Sequence, residues 1–191
     1  MRRLFALLFL LAFGLPAGAD TPTFKFGGES FIKKLEVKGR SPNAQIEFGL
    51  ANEKLEAWTK LLTLHAFTTS GNDGTRAAAI LANFIRERHQ GAKYKVITNP
   101  KTEEAIIDFL IPVPNSELME LNVFKYTPVG KELVALQFAR RVKLGEIDGA
   151  ELSEIRQNAI QEIAKYEMEP VKAFFGKAQY ITPTKRRSGG L

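Results

Sequence analysis

His65 and His89 are the only two imidazoles in the chain, and a histidine-based metal site would need both of them together with carboxylates. Their spacing resembles no short zinc motif. The ordinary explanation makes His65 a strand side chain with a local hydrogen bond and His89 a favourable cation at a helix C-terminus. Cysteine is absent, which removes a thiol nucleophile, a disulfide framework and cysteine metal ligands. A serine hydrolase of the common type needs a nucleophile on a strained turn and a histidine to take its proton. No Gly-x-Ser-x-Gly occurs, and Ser30, Ser41, Ser70, Ser116, Ser153 and Ser188 fall in expected turns, caps or the tail, where serine is common. Glu104 and Asp108 would share a strand face and could act as acid and base, a spacing that also arises on solvated strands. Gly71-Asn72-Asp73-Gly74 precedes a helical pattern, and a helix N-terminus can hold an anion. The loop lacks the Lys-Ser/Thr of a phosphate-binding loop, so a connecting turn with a cap is the expectation.

Binding chemistry has better candidates. Glu120, Asn122, Arg140 and Arg141 are polar residues on two stretches that read as adjacent hairpin strands. Arg140 or Arg141 can pair with Glu120 across the sheet, either as an ordinary cross-strand ion pair of about 0.2–1 kcal/mol or as part of a polar recognition patch. Trp58 is the single tryptophan; core packing is its ordinary role, with ligand stacking as the alternative. Lys185-Arg186-Arg187 could touch anionic lipid or an acidic partner, with a modest, salt-sensitive attraction; a solvated tail is the expectation.

The N-terminus sets the compartment. Arg2 and Arg3 form a positive start, Leu4 to Leu15 is a nearly unbroken apolar run, Pro16 breaks it, and Ala17-Gly18-Ala19 offers small residues at a peptidase site. This is the three-part layout of a secretory signal, expected to be cleaved after Ala19. A spanning helix needs roughly 20 apolar residues, more than the run supplies, and no cysteine follows it to carry a lipid. The expectation is therefore a periplasmic or secreted protein with no stable membrane insertion after cleavage. Removing residues 1–19 leaves about 172 residues, enough for one domain with its own core.

The formal net charge of +6 falls to +4 without Arg2 and Arg3, and Lys185, Arg186 and Arg187 supply three of those four charges. The folded body is close to neutral, which argues against nucleic acid as a partner.

The elements that must position these residues follow from periodicity. Phe31 to Val37 predicts a half-buried strand with Phe31, Leu35 and Val37 on one face. Residues 39–43 form a turn. Ile46, Phe48 and Leu50 mark a second strand, and Ala51 to Glu56 fits a turn or one helical turn. Trp58 to Phe67, apolar on both faces, predicts a central strand. Asn72 or Asp73 can cap a helix whose apolar stripe is Ala77, Ile80, Leu81, Phe84 and Ile85, running to about His89 and ended by Gly91. Tyr94, Val96 and Thr98 alternate in the next strand. Ala105, Ile107, Phe109 and Ile111 then oppose Glu104, Ile106, Asp108 and Leu110 until Pro112 and Pro114. Leu118 to Tyr126 and Leu133 to Val142 predict a hairpin around Thr127-Pro128-Val129-Gly130, with its register open. Asp148 and Glu151 resemble a capping box for a second helix carrying Leu152, Ile155, Ala159, Ile160 and Ile163. It is ended or kinked by Pro170. The expected fold is α+β, a mostly antiparallel sheet flanked by helices in the order β-β-β-α-β-β-β-β-α. Residues 1–19 form the signal, 20–176 the domain, and 177–191 a basic, Gly-rich tail expected to be disordered.

This order, with the strand Trp58 to Phe67, the helix after it, the hairpin Leu118 to Val142 and a C-terminal helix, resembles the PsbP-like α/β/α sandwich over roughly residues 30 to 170. The phrases Glu-Ala-Trp-Thr-Lys-Leu-Leu-Thr (56–63) and Leu-Gln-Phe-Ala-Arg-Arg (136–141) resemble those of exported bacterial proteins. The resemblance implies an accessory protein that binds a larger partner or assists its assembly, and carries no site residue onto this chain. The expected function is thus an exported, non-catalytic accessory or protein-binding domain of the cell envelope. It would need no cofactor and would have another envelope or secreted protein as partner. The alternatives are a carrier of a small apolar ligand or lipid, held between sheet and helix, and a carboxylate-dependent hydrolase.

Overall fold

The computed structural model describes residues 23–38, 43–67, 71–143, 145–168 and 171. The expected signal peptide, Ser41, Ser70, Ser188, Pro170 and the basic tail lie outside the described residues. Among the described residues one sheet of eight strands forms, every ladder antiparallel, in the spatial order β1-β2-β3-β4-β8-β7-β6-β5. The strands are β1 Thr23–Phe26, β2 Glu29–Lys38, β3 Asn43–Leu50, β4 Lys60–Phe67, β5 Tyr94–Asn99, β6 Glu104–Pro112, β7 Leu118–Val129 and β8 Glu132–Lys143. Helix α1, Gly74–Arg88, follows β4, and α2, Gly149–Lys165, follows β8. A 3₁₀ turn at Leu55–Ala57 occupies the stretch before β4.

The α2 side of the sheet holds Phe24, Phe31, Phe48, Leu62, Leu64, Val123, Leu136 and Ile163 in one apolar cluster. The α1 side holds Ala78, Ala82, Ile85, Ile107, Phe109, Phe124 and Tyr126 in another. Strand β6 serves both, as its double apolar alternation requires: Ala105, Ile107 and Phe109 face α1, while Ile106 and Leu110 pack with the α2 cluster.

Five sequence expectations change. Strand β1 is additional: four residues are too few to read as a strand, but Phe24 and Phe26 alternate inward and the pair Gly27-Gly28 turns the chain, both at positive φ (55° and 78°), the geometry glycine supplies to a two-residue hairpin. In β2 the ladder slips between Lys33 and Leu35. This bulge moves Leu35 off the face of Phe31, opposite Glu47 and 39% exposed, because one extra residue inverts all later alternation. Strand β4 starts at Lys60 rather than Trp58.

The β7–β8 turn is Gly130-Lys131, with Val129 opposite Glu132. Thr127 to Val129 therefore belong to the strand. Pro128 fits there because β6 pairs with β7 only as far as Ala105 opposite Tyr126, so on that side its missing N–H has no bond to lose. Finally, α1 buries Gly74, Ala78, Ala82 and Ile85, and turns Ile80 (60% exposed) and Phe84 (51%) outward. The small stripe wins because the helix start sits directly on backbone. A Cβ on Gly74 would lie 2.6 Å from the Glu103 carbonyl oxygen and 3.1 Å from Tyr126 Cβ.

Aspartates cap α1 and α2: Asp73, of the two candidates Asn72 and Asp73, and the expected Asp148. Asp73 accepts from the Arg76 N–H at 2.9 Å, and Asp148 from the Glu151 N–H at 2.8 Å, each satisfying a donor that the helix itself leaves free.

Candidate functional site

Strands β4, β8 and β7 lie side by side, so every second residue of each projects onto the α1 face. There His65 stands on β4, Gln137 and Arg141 on β8, and Glu120 and Asn122 on β7. The side chains join in a row. His65 Nε2 lies 2.9 Å from Gln137 Oε1, Gln137 Nε2 donates to Asn122 Oδ1 at 2.8 Å, and Asn122 Nδ2 donates to Glu120 Oε1 at 3.0 Å. Arg141 is directly opposite Glu120 in the ladder, its Nε 3.7 Å from Glu120 Oε2, and its guanidinium carbon lies 3.9 Å from the centre of the Trp58 ring.

The carboxylate of Glu120 sets the direction of the whole row. An ionised carboxylate only accepts, so Asn122 must present its NH₂ to Glu120 and its carbonyl to Gln137. Gln137 must then donate to Asn122 and turn its own carbonyl to His65. The imidazole must therefore carry its hydrogen on Nε2, which leaves Nδ1 as an acceptor. Every dipole in the row points the same way, and hydrogen bonds in series polarise one another.

Burial reinforces the neutral histidine. His65 stacks with Phe67 and Phe124 at centroid distances of 5.9 and 5.7 Å. Its loss of water pushes the imidazole pKa below the usual histidine value, a shift the Gln137 hydrogen bond opposes in part. Asn122 and Thr63 are 2% exposed, whereas the ends of the row are more open, Glu120 at 21% and Arg141 at 22%.

Helix α1 flanks this row. Leu81, Phe84 and Ile85 form one wall of a cleft of about 200 Å³, against Phe109 and Ile111, with Glu120, Asn122 and Gln137 on its polar side. His89, the C-cap of α1, lies at its rim and gives its backbone N–H to the Ile85 carbonyl at 2.8 Å. The cleft has the volume of one bulky side chain rather than of a cofactor.

Of the residues singled out in the sequence, Glu120, Asn122, Arg141 and Trp58 come together. Trp58 is half-buried beneath Arg141 and is not among the buried core residues, because it precedes β4 and is therefore not locked into the ladder. Arg140 is separated from the group: one residue along a strand reverses the face, and Arg140 lies opposite Lys60 on the α2 side. His65 and Gln137 are the members that spacing did not join to the row. Gln137 alternates correctly with Arg141 along β8, but only the β4–β8 register places His65 near it.

Glu104 and Asp108 do share the α2 face, yet each is committed elsewhere. Glu104 accepts from Thr127 Oγ1 at 2.9 Å and lies 3.4 Å from Lys125 Nζ, while Asp108, wholly buried, pairs with Arg156 of α2. Lys125 in turn donates to the Ala164 and Tyr166 carbonyl oxygens, at 3.1 and 3.0 Å, at the end of α2 where carbonyls lack helical partners. Ser116 Oγ accepts from the Leu118 N–H at 2.9 Å, and Ser153 Oγ from Gln157 Nε2 at 3.4 Å. No group of three or more His, Cys, Asp or Glu side chains among the described residues could hold a metal ion.

No curated protein matches the chain. Residues 19–173 match the model of a protein family, a span that takes in α1, α2, strands β1 to β8 and the polar row, and the chain belongs to that family.

Proposed function

We propose that this chain is an exported, non-catalytic accessory domain of PsbP-like build, an α/β/α sandwich that works by binding another envelope or secreted protein through its α1 face. One observation carries the reading: Ile80 and Phe84, 60% and 51% exposed, stand on the helix beside a cleft with an oriented polar side. Large apolar side chains left in water next to hydrogen-bonding groups are the composition of a protein contact, with an apolar centre and a polar rim. The cleft accepts one side chain of a partner, and Trp58 with Arg141 extends the same face with residue types that anchor interfaces.

The chemistry of the row favours binding over catalysis. The His65 Nε2–H is spent on Gln137, and the row carries no serine, cysteine or lysine beside the imidazole that it could activate. Export rests on the n-region, the apolar run and the Ala17-Gly18-Ala19 site.

The test is in-cell crosslinking of the tagged protein, with mass spectrometry of what co-purifies. A single dominant envelope partner captured by the wild type, and lost in an Ile80→Ser/Phe84→Ser double variant, is the expected result. No partner, or the same partner captured equally by the double variant, defeats the proposal.

A further inference from the structure

The opposite face of the sheet holds a second and larger cleft, about 450 Å³, between α2, the β1–β2 turn and strands β4 and β8. Its volume falls in the range of small-molecule sites. Its floor is apolar: Phe26 stacks on Phe138 at 5.1 Å between centroids, and Ile155 of α2 closes the side. The Gly27-Gly28 turn forms a rim without side chains.

Charge on this cleft is unbalanced at one atom group. Lys60 and Arg140 are direct cross-strand partners on the same face, an arrangement of like charges that costs stability. Glu29 neutralises only one of them, its two carboxylate oxygens accepting from Lys60 Nζ at 2.8 and 2.7 Å. Glu162, also at the cleft, pairs with Lys165 at 3.9 Å. Among the described residues the Arg140 guanidinium has neither a hydrogen-bond nor an ion-pair partner, although the residue is half-buried. A guanidinium presents a planar fork of donors that matches a carboxylate in two parallel bonds.

We propose that this cleft is a binding site for a small organic monocarboxylate, its apolar body seated on Phe26, Phe138 and Ile155 and its carboxylate held by Arg140. A single negative charge completes the cross-strand cation pair that Glu29 leaves half-neutralised. The apolar floor selects an aromatic or short aliphatic body over a bare anion. The site lies on the far side of the sheet from the protein-contact face, so either proposal stands or falls without the other.

Isothermal titration calorimetry on the full chain tests this, with 4-phenylbutyrate as the probe and 4-phenylbutan-1-ol as its uncharged counterpart. The expected result is submillimolar binding of the carboxylate, at least tenfold weaker binding of the alcohol, and at least a tenfold loss of carboxylate affinity in Arg140→Gln. Arg140→Lys keeps the charge without the fork and is expected to fall between the two. An Ile80→Ser/Phe84→Ser variant should bind the carboxylate as the wild type does. No heat at 10 mM carboxylate, equal affinity for acid and alcohol, or undiminished affinity in a folded Arg140→Gln protein would each overturn the proposal.

Discussion

The two faces of the sheet solve the same packing problem with different side chains. On the α2 face, Phe24, Phe31, Phe48 and Leu64 fill the space between helix and strands, and the contact is deep and apolar. On the α1 face the helix rests on Gly74, Ala78 and Ala82, close to the strands, and packs chiefly on β5, β6 and β7. Seated on these small residues, the helix leaves its bulky Ile80 and Phe84 pointing outward. Polar side chains of β4, β8 and β7 can then persist at its edge, where hydrogen bonds rather than apolar contacts satisfy them. The comparison teaches that the two faces of one sheet differ through the size of the residues under each helix, the α1 side keeping a polar row and exposed apolar side chains.

The contrast is sharpest for two phenylalanines. Phe48→Ala, on the α2 face and fully buried, should cost about 3–5 kcal/mol by transfer and cavity terms, read as a lowered midpoint in chemical denaturation. Phe84→Ala on the other side should stay within about 0.5 kcal/mol. Comparable losses at the two sites would refute the division of labour.

A smaller effect tests the polar bond that ties α2 down. Asp108 is wholly buried with Arg156 as its partner, while its second oxygen lacks a hydrogen bond. Arg156→Ala strands a buried carboxylate and should cost about 2–3 kcal/mol, below the loss for a fully buried pair because Arg156 is itself 38% exposed. Urea titrations of the variant at neutral pH measure it.

On the α1 face, Gly74→Ala sets a methyl against the Glu103 carbonyl. Overpacking of this kind costs about 1–3 kcal/mol, visible as a lower Tm. An unchanged Tm would mean that the helix does not need its close seat. Gln137→Leu removes both the acceptor of His65 and the donor to Asn122. Orphaning two such groups should cost about 1–2 kcal/mol and should free the imidazole ring, read as a shifted His65 proton resonance.

The smallest effect is pH dependence. The His65 pKa is lowered in the folded protein by burial, so below the unfolded value near 6.5 the unfolded chain binds the proton first. Stability is then full above pH ~6.5 and declines as pH falls toward the folded pKa, by at most about 1.4 kcal/mol per pH unit. His65→Gln should flatten that part of the profile, and a slope that survives the substitution assigns it to other groups.

Much of the fold was legible because periodicity reports burial directly. Seven of the eight strands and both helices follow from alternation, caps and turn residues, with the boundaries of β4 and of the β7–β8 hairpin off by a few residues. The misread parts share one cause, that two local patterns competed and a long-range contact chose between them. The bulge in β2 is invisible in a run that alternates well on either side of it. In α1, Ile80 and Phe84 outweigh Ala78 and Ala82 on any apolar scale, yet the close approach of Gly74 to Glu103 and Tyr126 selects the small stripe.

The candidate site divides in the same way. Glu120, Asn122, Arg141 and Trp58 could be marked from residue type and hairpin spacing. Arg140 was marked with them, and only the strand period set against the β4–β8 register places it on the other face, opposite Lys60. By itself the sequence determined most of the elements, a polar cap at the start of α1 and α2 and the near-neutral body, because these depend on composition and on neighbours a few residues apart. Only the tertiary structure decided that His65 and Gln137 meet, that the Arg140 guanidinium lies beside an apolar cleft with no ion-pair partner among the described residues, and which side of α1 faces water. Each of these is a contact between residues far apart in the chain, and such contacts are fixed by sheet register and helix seating, which no local pattern encodes.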